Sequence, residues 1–72
     1  MFEDFNNKVY PEGYLKVKEE DIYPGNILKV DGYSIKIIAV QGKGIGSVVM
    51  ARYLDGSKKG SVDAISINRL EN

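Results

Sequence analysis

Apolar and polar residues alternate with a period near two along most of the chain after residue 13. Successive side chains of a β-strand point to opposite faces, so this period is typical of strands with one buried face. The alternation and the intervening turn residues predict strands at residues 14–18, 26–30, 33–41, 47–55 and 61–64. Residues 65–71 are expected to return along the sheet, and no window of eleven residues has a convincing helical stripe.

Turn-forming dipeptides separate these segments. Pro24-Gly25, Asp31-Gly32 and Asp55-Gly56 each predict a turn, and Asp31-Gly32 is the strongest hairpin signal in the chain. Three glycines within residues 42–46 predict a flexible loop. Five short strands at this spacing favour a small five-stranded antiparallel β-barrel over residues 10–72. Residues 1–9 are predicted to be a flexible N-terminal tail.

The alternation also predicts the core. Within each expected strand the apolar residues of one parity should be buried together. The predicted core consists of Leu15, Val17, Leu28, Val30, Ile35, Ile37, Val49, Ala51, Val62, Ile67 and Leu70.

Composition restricts the chemistry that the chain can perform. The 72 residues suffice for one domain, and they include neither cysteine nor histidine. Disulfides, zinc sites with Cys or His ligands, and Cys/His catalysis are therefore excluded. We expect a protein that is not an enzyme and needs no cofactor or metal. The lack of cysteine, the absence of a long apolar run and the acids Glu3 and Asp4 near the start lead us to expect a cytoplasmic protein.

The formal net charge is zero, which argues against a dedicated nucleic-acid-binding protein. The basic residues are nevertheless concentrated in the second half. Lys43, Arg52, Lys58 and Lys59 could form one patch that contacts phosphates. Weak, sequence-tolerant nucleic-acid binding is therefore the alternative function, although a solvated hairpin tip explains the same lysines.

Two further segments contain residue types found in phosphate-binding loops or calcium sites, but their spacing does not match either kind of site. Residues 42–47 contain glycines and a lysine, but their spacing is not that of a phosphate-binding loop, and a strand rather than a helix is expected to follow. The acids Glu19, Glu20 and Asp21 lack the ligand spacing of a calcium loop. Both segments are expected to be structural or solvated.

Residues 14–71 resemble SH3 domains in their spacing. Residues 49–55 followed by Gly60 are similar to the third strand and distal hairpin of that family, and residues 60–71 are similar to its closing segment with a short 3₁₀ turn. Residues 21–30 are similar to the acidic turn and the strand that follows it. The resemblance implies an SH3-like barrel. Length and pattern also resemble the YorP-like small prophage proteins, which implies a phage or prophage origin.

The residues that would bind a proline-rich peptide are missing. Val48 stands where SH3 domains have a Trp, Asp63 where they have a Pro, and Ser66 where they have a Tyr. A polyproline helix packs against aromatic ridges, so we expect no binding of proline-rich peptides.

Binding to another protein is the predicted function. Tyrosine is favoured at protein interfaces, and Tyr23, Tyr33 and Tyr53 are the candidate contact residues. They join Lys43, Arg52, Lys58 and Lys59 as the possible interaction residues. The partner is expected to be a protein rather than a membrane.

Overall fold

The computed structural model describes residues 10–42 and 44–72. In this part of the chain the protein is all-β, as predicted. Four antiparallel strands, rather than the predicted five, form one open sheet in the order β1-β2-β3-β4. The strands are β1 (Ile27–Val30), β2 (Tyr33–Gln41), β3 (Val48–Tyr53) and β4 (Val62–Ser66), and short 3₁₀ helices span Glu19–Asp21, Gly56–Lys58 and Ile67–Arg69. The predicted tail, residues 1–9, lies outside the described residues.

The strand β2 is the longest, and it pairs with both neighbours. The predicted limits of β2 are confirmed, and so is the hairpin turn that joins it to β1. Asp31 and Gly32 both have positive φ, 52° and 84°, and connect the paired residues Val30 and Tyr33. This is the geometry in which a two-residue turn matches the twist of the strands it joins. The register with β3 shifts between Ile37 and Ala39, where β2 contains a bulge.

The predicted strand at residues 14–18 is wrong. This segment forms turns and bends, beginning with a hydrogen bond from the Tyr14 amide to the Pro11 carbonyl. Its side chains still pack as the alternation predicted, because Val17 is buried and Leu15 packs against the core while partly exposed. The edge of β1 that does not pair with β2 forms backbone hydrogen bonds with Glu71 instead. The Lys29 amide donates to the Glu71 carbonyl at 2.8 Å, and the Glu71 amide donates to the Lys29 carbonyl at 2.7 Å.

The core lies on one side of the sheet. Its buried apolar members are Val17, Leu28, Val30, Ile35, Ile37, Val49, Ala51, Tyr53, Ile65, Ile67 and Leu70. Nine of the predicted members are confirmed, and two residues that the alternation did not select, Tyr53 and Ile65, are buried with them.

Val62 is the clear error among the predicted core residues, since it is 44% exposed whereas Ile65 is fully buried. A bulge before β4 accounts for the difference. The Gly60 amide donates to the Tyr53 carbonyl, and the Tyr53 amide donates to the Ser61 carbonyl. Gly60 and Ser61 therefore both lie opposite Tyr53, which is the arrangement of a β-bulge. A shift of one residue exchanges the two faces of a strand. Val62 consequently points away from the core and pairs with Arg52.

The segment after β4 covers the open side of the core. The 3₁₀ helix Ile67–Arg69 places Ile67 and the following Leu70 against the sheet, both almost fully buried. The bridge between Lys29 and Glu71 then fixes this segment to β1. Two exposed ion pairs, Lys16 with Glu71 and Arg69 with Asp31, lie beside it.

We predict that shortening a core isoleucine destabilises the domain while the same change outside the core does not. Ile35→Val removes one methylene from a side chain with no exposed surface, and should lower the free energy of unfolding by about 0.5–1.5 kcal/mol. Ile27→Val is the matched control, because Ile27 also lies in a strand but is 55% exposed. Its effect should stay within about 0.5 kcal/mol. Urea unfolding measures both, and equal losses would contradict the assigned core.

Candidate interaction surface

The face of the sheet that points away from the core carries a line of two basic residues between two apolar residues. The pairings Ile27 with Lys36, Lys36 with Arg52 and Arg52 with Val62 place four residues in one line across all four strands. We call this line the transverse row. Its two ends are exposed apolar residues, Ile27 at 55% and Val62 at 44%. Since neighbouring strands lie about 4.8 Å apart, the row is about 14 Å long.

Two like charges face each other at the centre of the transverse row. Lys36 and Arg52 are exposed partners in the β2–β3 ladder. Within residues 10–42 and 44–72 the ion pairs are Lys16 with Glu71 and Arg69 with Asp31, so neither central cation has an acidic partner there. Like charges directly opposite each other in a sheet are destabilising. The sheet therefore maintains a positive centre at some cost to its own stability.

The rest of this face is mixed, with Ser34, Gln41 and Ser66 as its polar residues and Glu71 as the bridge partner of Lys29. Lys29 is paired with Ser34 next to the transverse row and adds a third cation. On the other side of the row, Met50 lies between Ala39 and Ala64, and both flanking residues are its ladder partners. The surface is thus a row with two cations at its centre and exposed apolar residues at its ends, flanked by Met50 on one side and by Lys29 with its bridge partner Glu71 on the other.

The three candidate tyrosines do not share a surface. Tyr23 is 50% exposed and lies before β1. Tyr33 is half-buried, and its ring meets that of Tyr53 edge to face, with 5.3 Å between the ring centroids. Tyr53 is only 3% exposed, so it is a core residue and is not available as an interface aromatic.

Lys58 lies over these same rings rather than beside Arg52. Its Nζ is 5.4 Å from the centroid of Tyr33 and 5.2 Å from that of Tyr53, which is a cation–π arrangement. The Tyr33 hydroxyl is also 3.2 Å from Ser57 Oγ. Lys58 is therefore part of the packing at the end of the β3–β4 hairpin.

Two members of the predicted basic patch, Arg52 and Lys58, accordingly do not share a face of the sheet. Tyr53 faces the core, so Lys58 lies on the core-facing side of the sheet, whereas Arg52 lies on the opposite face. Lys59 is exposed on the hairpin, and Lys43 lies outside the described residues. Lys36, the ladder partner of Arg52, was not among the residues predicted from the sequence. The Asp31-Gly32 turn sets the pairing of Lys36 with Ile27, but the β2–β3 register that places Lys36 opposite Arg52 is not visible in the sequence pattern.

The glycine loop and the acidic segment have structural explanations. The buried Ser47 closes the loop, because its hydroxyl donates to the Gly44 carbonyl at 2.7 Å and its amide donates to the same oxygen at 3.1 Å. Glu19, Glu20 and Asp21 form a 3₁₀ turn whose last carbonyl accepts a hydrogen bond from the Asn26 side chain. In the part of the chain that the structure describes, no cluster of three Asp, Glu, His or Cys residues is suited to a metal ion. Among the same residues, no helix has the length and apolar character needed to span a membrane.

No protein-family model, no curated protein and no solved structure matches this chain.

We predict that Gly56→Ala is more destabilising than Gly60→Ala. Both glycines have positive φ, 73° and 89°, so alanine is strained by about 1–2 kcal/mol at either site. A Cβ at position 56 would also overlap the Tyr33 ring, whereas one at position 60 would meet nothing within 4 Å. Overpacking should add about 1–3 kcal/mol at Gly56 alone. Thermal or urea unfolding compares the two, and equal destabilisation would show that Tyr33 does not pack on this turn.

Proposed function

We propose that this protein is a non-enzymatic binding module whose outer sheet face contacts an acidic segment of another protein. The observation that carries the proposal is the transverse row, with Lys36 and Arg52 opposite each other between Ile27 and Val62. An apolar border around a charged centre is suited to a partner that supplies both carboxylates and apolar side chains.

The two opposed cations, Lys36 and Arg52, are held close together by the β2–β3 ladder. Their repulsion destabilises the free protein, and a carboxylate placed between them would relieve it. An arginine offers planar paired donors to a carboxylate, and a lysine adds a point charge. The bound state therefore gains an interaction that the free state cannot form with its described residues. This difference favours a recognition role for Lys36 and Arg52 over a structural one.

The spacing of the row suggests how a partner would lie on it. An extended segment presents every second side chain to one side, at about 6.6–6.8 Å intervals. Its first, third and fifth residues then span about 13 Å, close to the 14 Å length of the row. A segment with apolar, acidic and apolar residues at these positions would contact Ile27, the cation pair and Val62 together.

The proposal includes the finer architecture. We assign the domain to the SH3-like barrels, supported by the 3₁₀ turn at Ile67–Arg69 and the return of Glu71 to β1. A relationship to the YorP-like prophage proteins and a cytoplasmic location belong to the same hypothesis. Proline-rich peptides are not the proposed ligands. Val48 and Ser66 are paired on the outer face, Asp63 is exposed on β4, and none of the three supplies an aromatic ring.

Nucleic acid is the second candidate, because Lys29, Lys36 and Arg52 give the outer face three cations. Three phosphate contacts would produce a log–log salt dependence with a slope of about −2 to −3. Binding to single strands usually adds base stacking on aromatic side chains. The strand residues described on this face include no aromatic side chain, and apolar residues border the cations instead. These features favour an acidic protein segment.

We predict that Lys36→Glu strengthens the fold and weakens binding. The new carboxylate would face Arg52, so repulsion becomes attraction and the free energy of unfolding should rise by about 0.2–1 kcal/mol. The binding probe is a synthetic peptide with an extended Leu-Ser-Glu-Ser-Leu centre, titrated against ¹⁵N-labelled protein. We expect its affinity to fall about tenfold, corresponding to the loss of one charge-assisted contact.

Two controls distinguish the alternatives. Lys59→Glu changes an exposed cation on the hairpin by the same charge and should leave peptide affinity unchanged. A peptide with Gln in place of Glu should bind the unmodified protein about as weakly as the acidic peptide binds the Lys36→Glu variant. Equal affinity of the acidic peptide for the unmodified and Lys36→Glu proteins would contradict the proposal. Salt-dependent binding of a short oligonucleotide, lost in Lys36→Glu, together with no peptide binding, would favour the nucleic-acid function.

A further inference from the structure

The strand β4 has a partner on one side only in the described part of the chain. It pairs with β3 from Val62 to Ser66, and its other side faces away from the sheet. The hydrogen bonds that flank β4 fix which backbone groups point outward. The Tyr53 amide bonds to the Ser61 carbonyl, and the Ile67 amide bonds to the Ser47 carbonyl. Because hydrogen-bonded positions alternate in an antiparallel pair, Val62, Ala64 and Ser66 direct their amides and carbonyls to the open edge.

One of these outward groups is already occupied by a side chain. The Ala64 amide donates to Asp63 Oδ1 at 2.9 Å, which lies within the same strand. An incoming strand would have to place a carbonyl oxygen where the carboxylate now lies. Two oxygens repel each other there, and the amide would lose a charge-assisted acceptor. A charged residue at an exposed edge is a common means of preventing edge-to-edge pairing.

The β4 strand can pair with a second copy of itself in the antiparallel direction without a clash of charges. If Ala64 is placed on a two-fold axis, Val62 lies opposite Ser66 of a second copy, and Asp63 lies opposite Ile65. No like charges meet in this register, and the residue on the axis is small. A second copy of the chain is therefore the occupant that the edge fits, and the two sheets would join into one through β4.

We propose that the β4 edge is a latent strand-pairing site for a second copy of this chain, and that the Asp63 carboxylate keeps it closed by holding the Ala64 amide. The unmodified protein is then monomeric because of one side chain at the edge. This inference is independent of the proposed function, since it concerns backbone groups of β4 and not the side chains of Lys36 and Arg52.

The test is sedimentation velocity of the full chain over a wide concentration range. We expect Asp63→Ala to dimerise with an association constant raised on the order of tenfold to a hundredfold, because each copy frees one amide from a charge-assisted bond. Asp63→Thr, which favours strands, is the second variant and should behave in the same way. Folded Asp63→Ala and Asp63→Thr proteins that both remain as monomeric as the unmodified chain would overturn the proposal.

A double variant and a map of amide chemical-shift changes show whether the two copies associate through the β4 edge. Proline has no amide hydrogen and is tolerated on strand edges, so adding Ala64→Pro to Asp63→Ala should restore the monomer. In ¹⁵N spectra of the Asp63→Ala dimer the largest shifts should fall on Val62, Ala64 and Ser66. Dimerisation that persists with Ala64→Pro, or shifts centred on Ile27 and Lys36, would mean that the copies associate through another surface.

Discussion

Two backbone hydrogen bonds join Lys29 of β1 to Glu71, and the enclosure of the core depends on them. A four-stranded sheet alone has two solvent-exposed faces, and a chain of this size has little material with which to cover either. The bridge holds the segment of Ile67 and Leu70 over the inner face, so that both residues are almost completely removed from water. It also occupies the free edge of β1, which leaves residues 14–18 attached through side chains such as Val17 rather than through strand pairing.

Covering of the inner face by the C-terminal segment leaves the outer face of the sheet exposed to solvent. The apolar residues of one parity are used to form the core, and the C-terminal segment covers that side. The opposite parity forms the outer face, where the ladder sets Lys36 against Arg52 and leaves Ile27 and Val62 exposed at the ends. A sheet selected only for stability would place an acid opposite a base at the centre. This opposed pair is the basis of the proposed contact with an acidic protein segment.

The sequence predicted local features well and non-local ones less well. The hairpin at Asp31-Gly32 and the limits of β2 follow from turn chemistry and from β-branched residues, which act over a few positions. The bulge at Gly60 and Ser61 arises from their pairing with Tyr53 on a neighbouring strand. Alternation along the sequence alone could not show that this bulge exposes Val62 and buries Ile65.

The candidate site shows the same limit. Proximity in sequence suggested that Arg52 and Lys58 form one basic patch, but Arg52 points to the outer face of β3 whereas Lys58, in the hairpin turn, lies over the ring of Tyr53 on the other side. The true neighbour of Arg52 is Lys36, sixteen positions earlier, and only the register of two strands brings them together. Tyr53 was expected at a surface because tyrosine is common at interfaces, yet its parity in β3 places its ring in the core.

A double-mutant cycle on Lys36 and Arg52 tests the central claim most directly. The free energy of unfolding is measured for the unmodified protein, Lys36→Gln, Arg52→Gln and the double variant, at low salt and at about 1 M salt, where the Debye length is about 3 Å. The opposed geometry predicts a repulsive coupling of about 0.2–1 kcal/mol at low salt that largely disappears at high salt. A coupling of zero at low salt, or a favourable one, would contradict the cationic centre on which the proposed function depends.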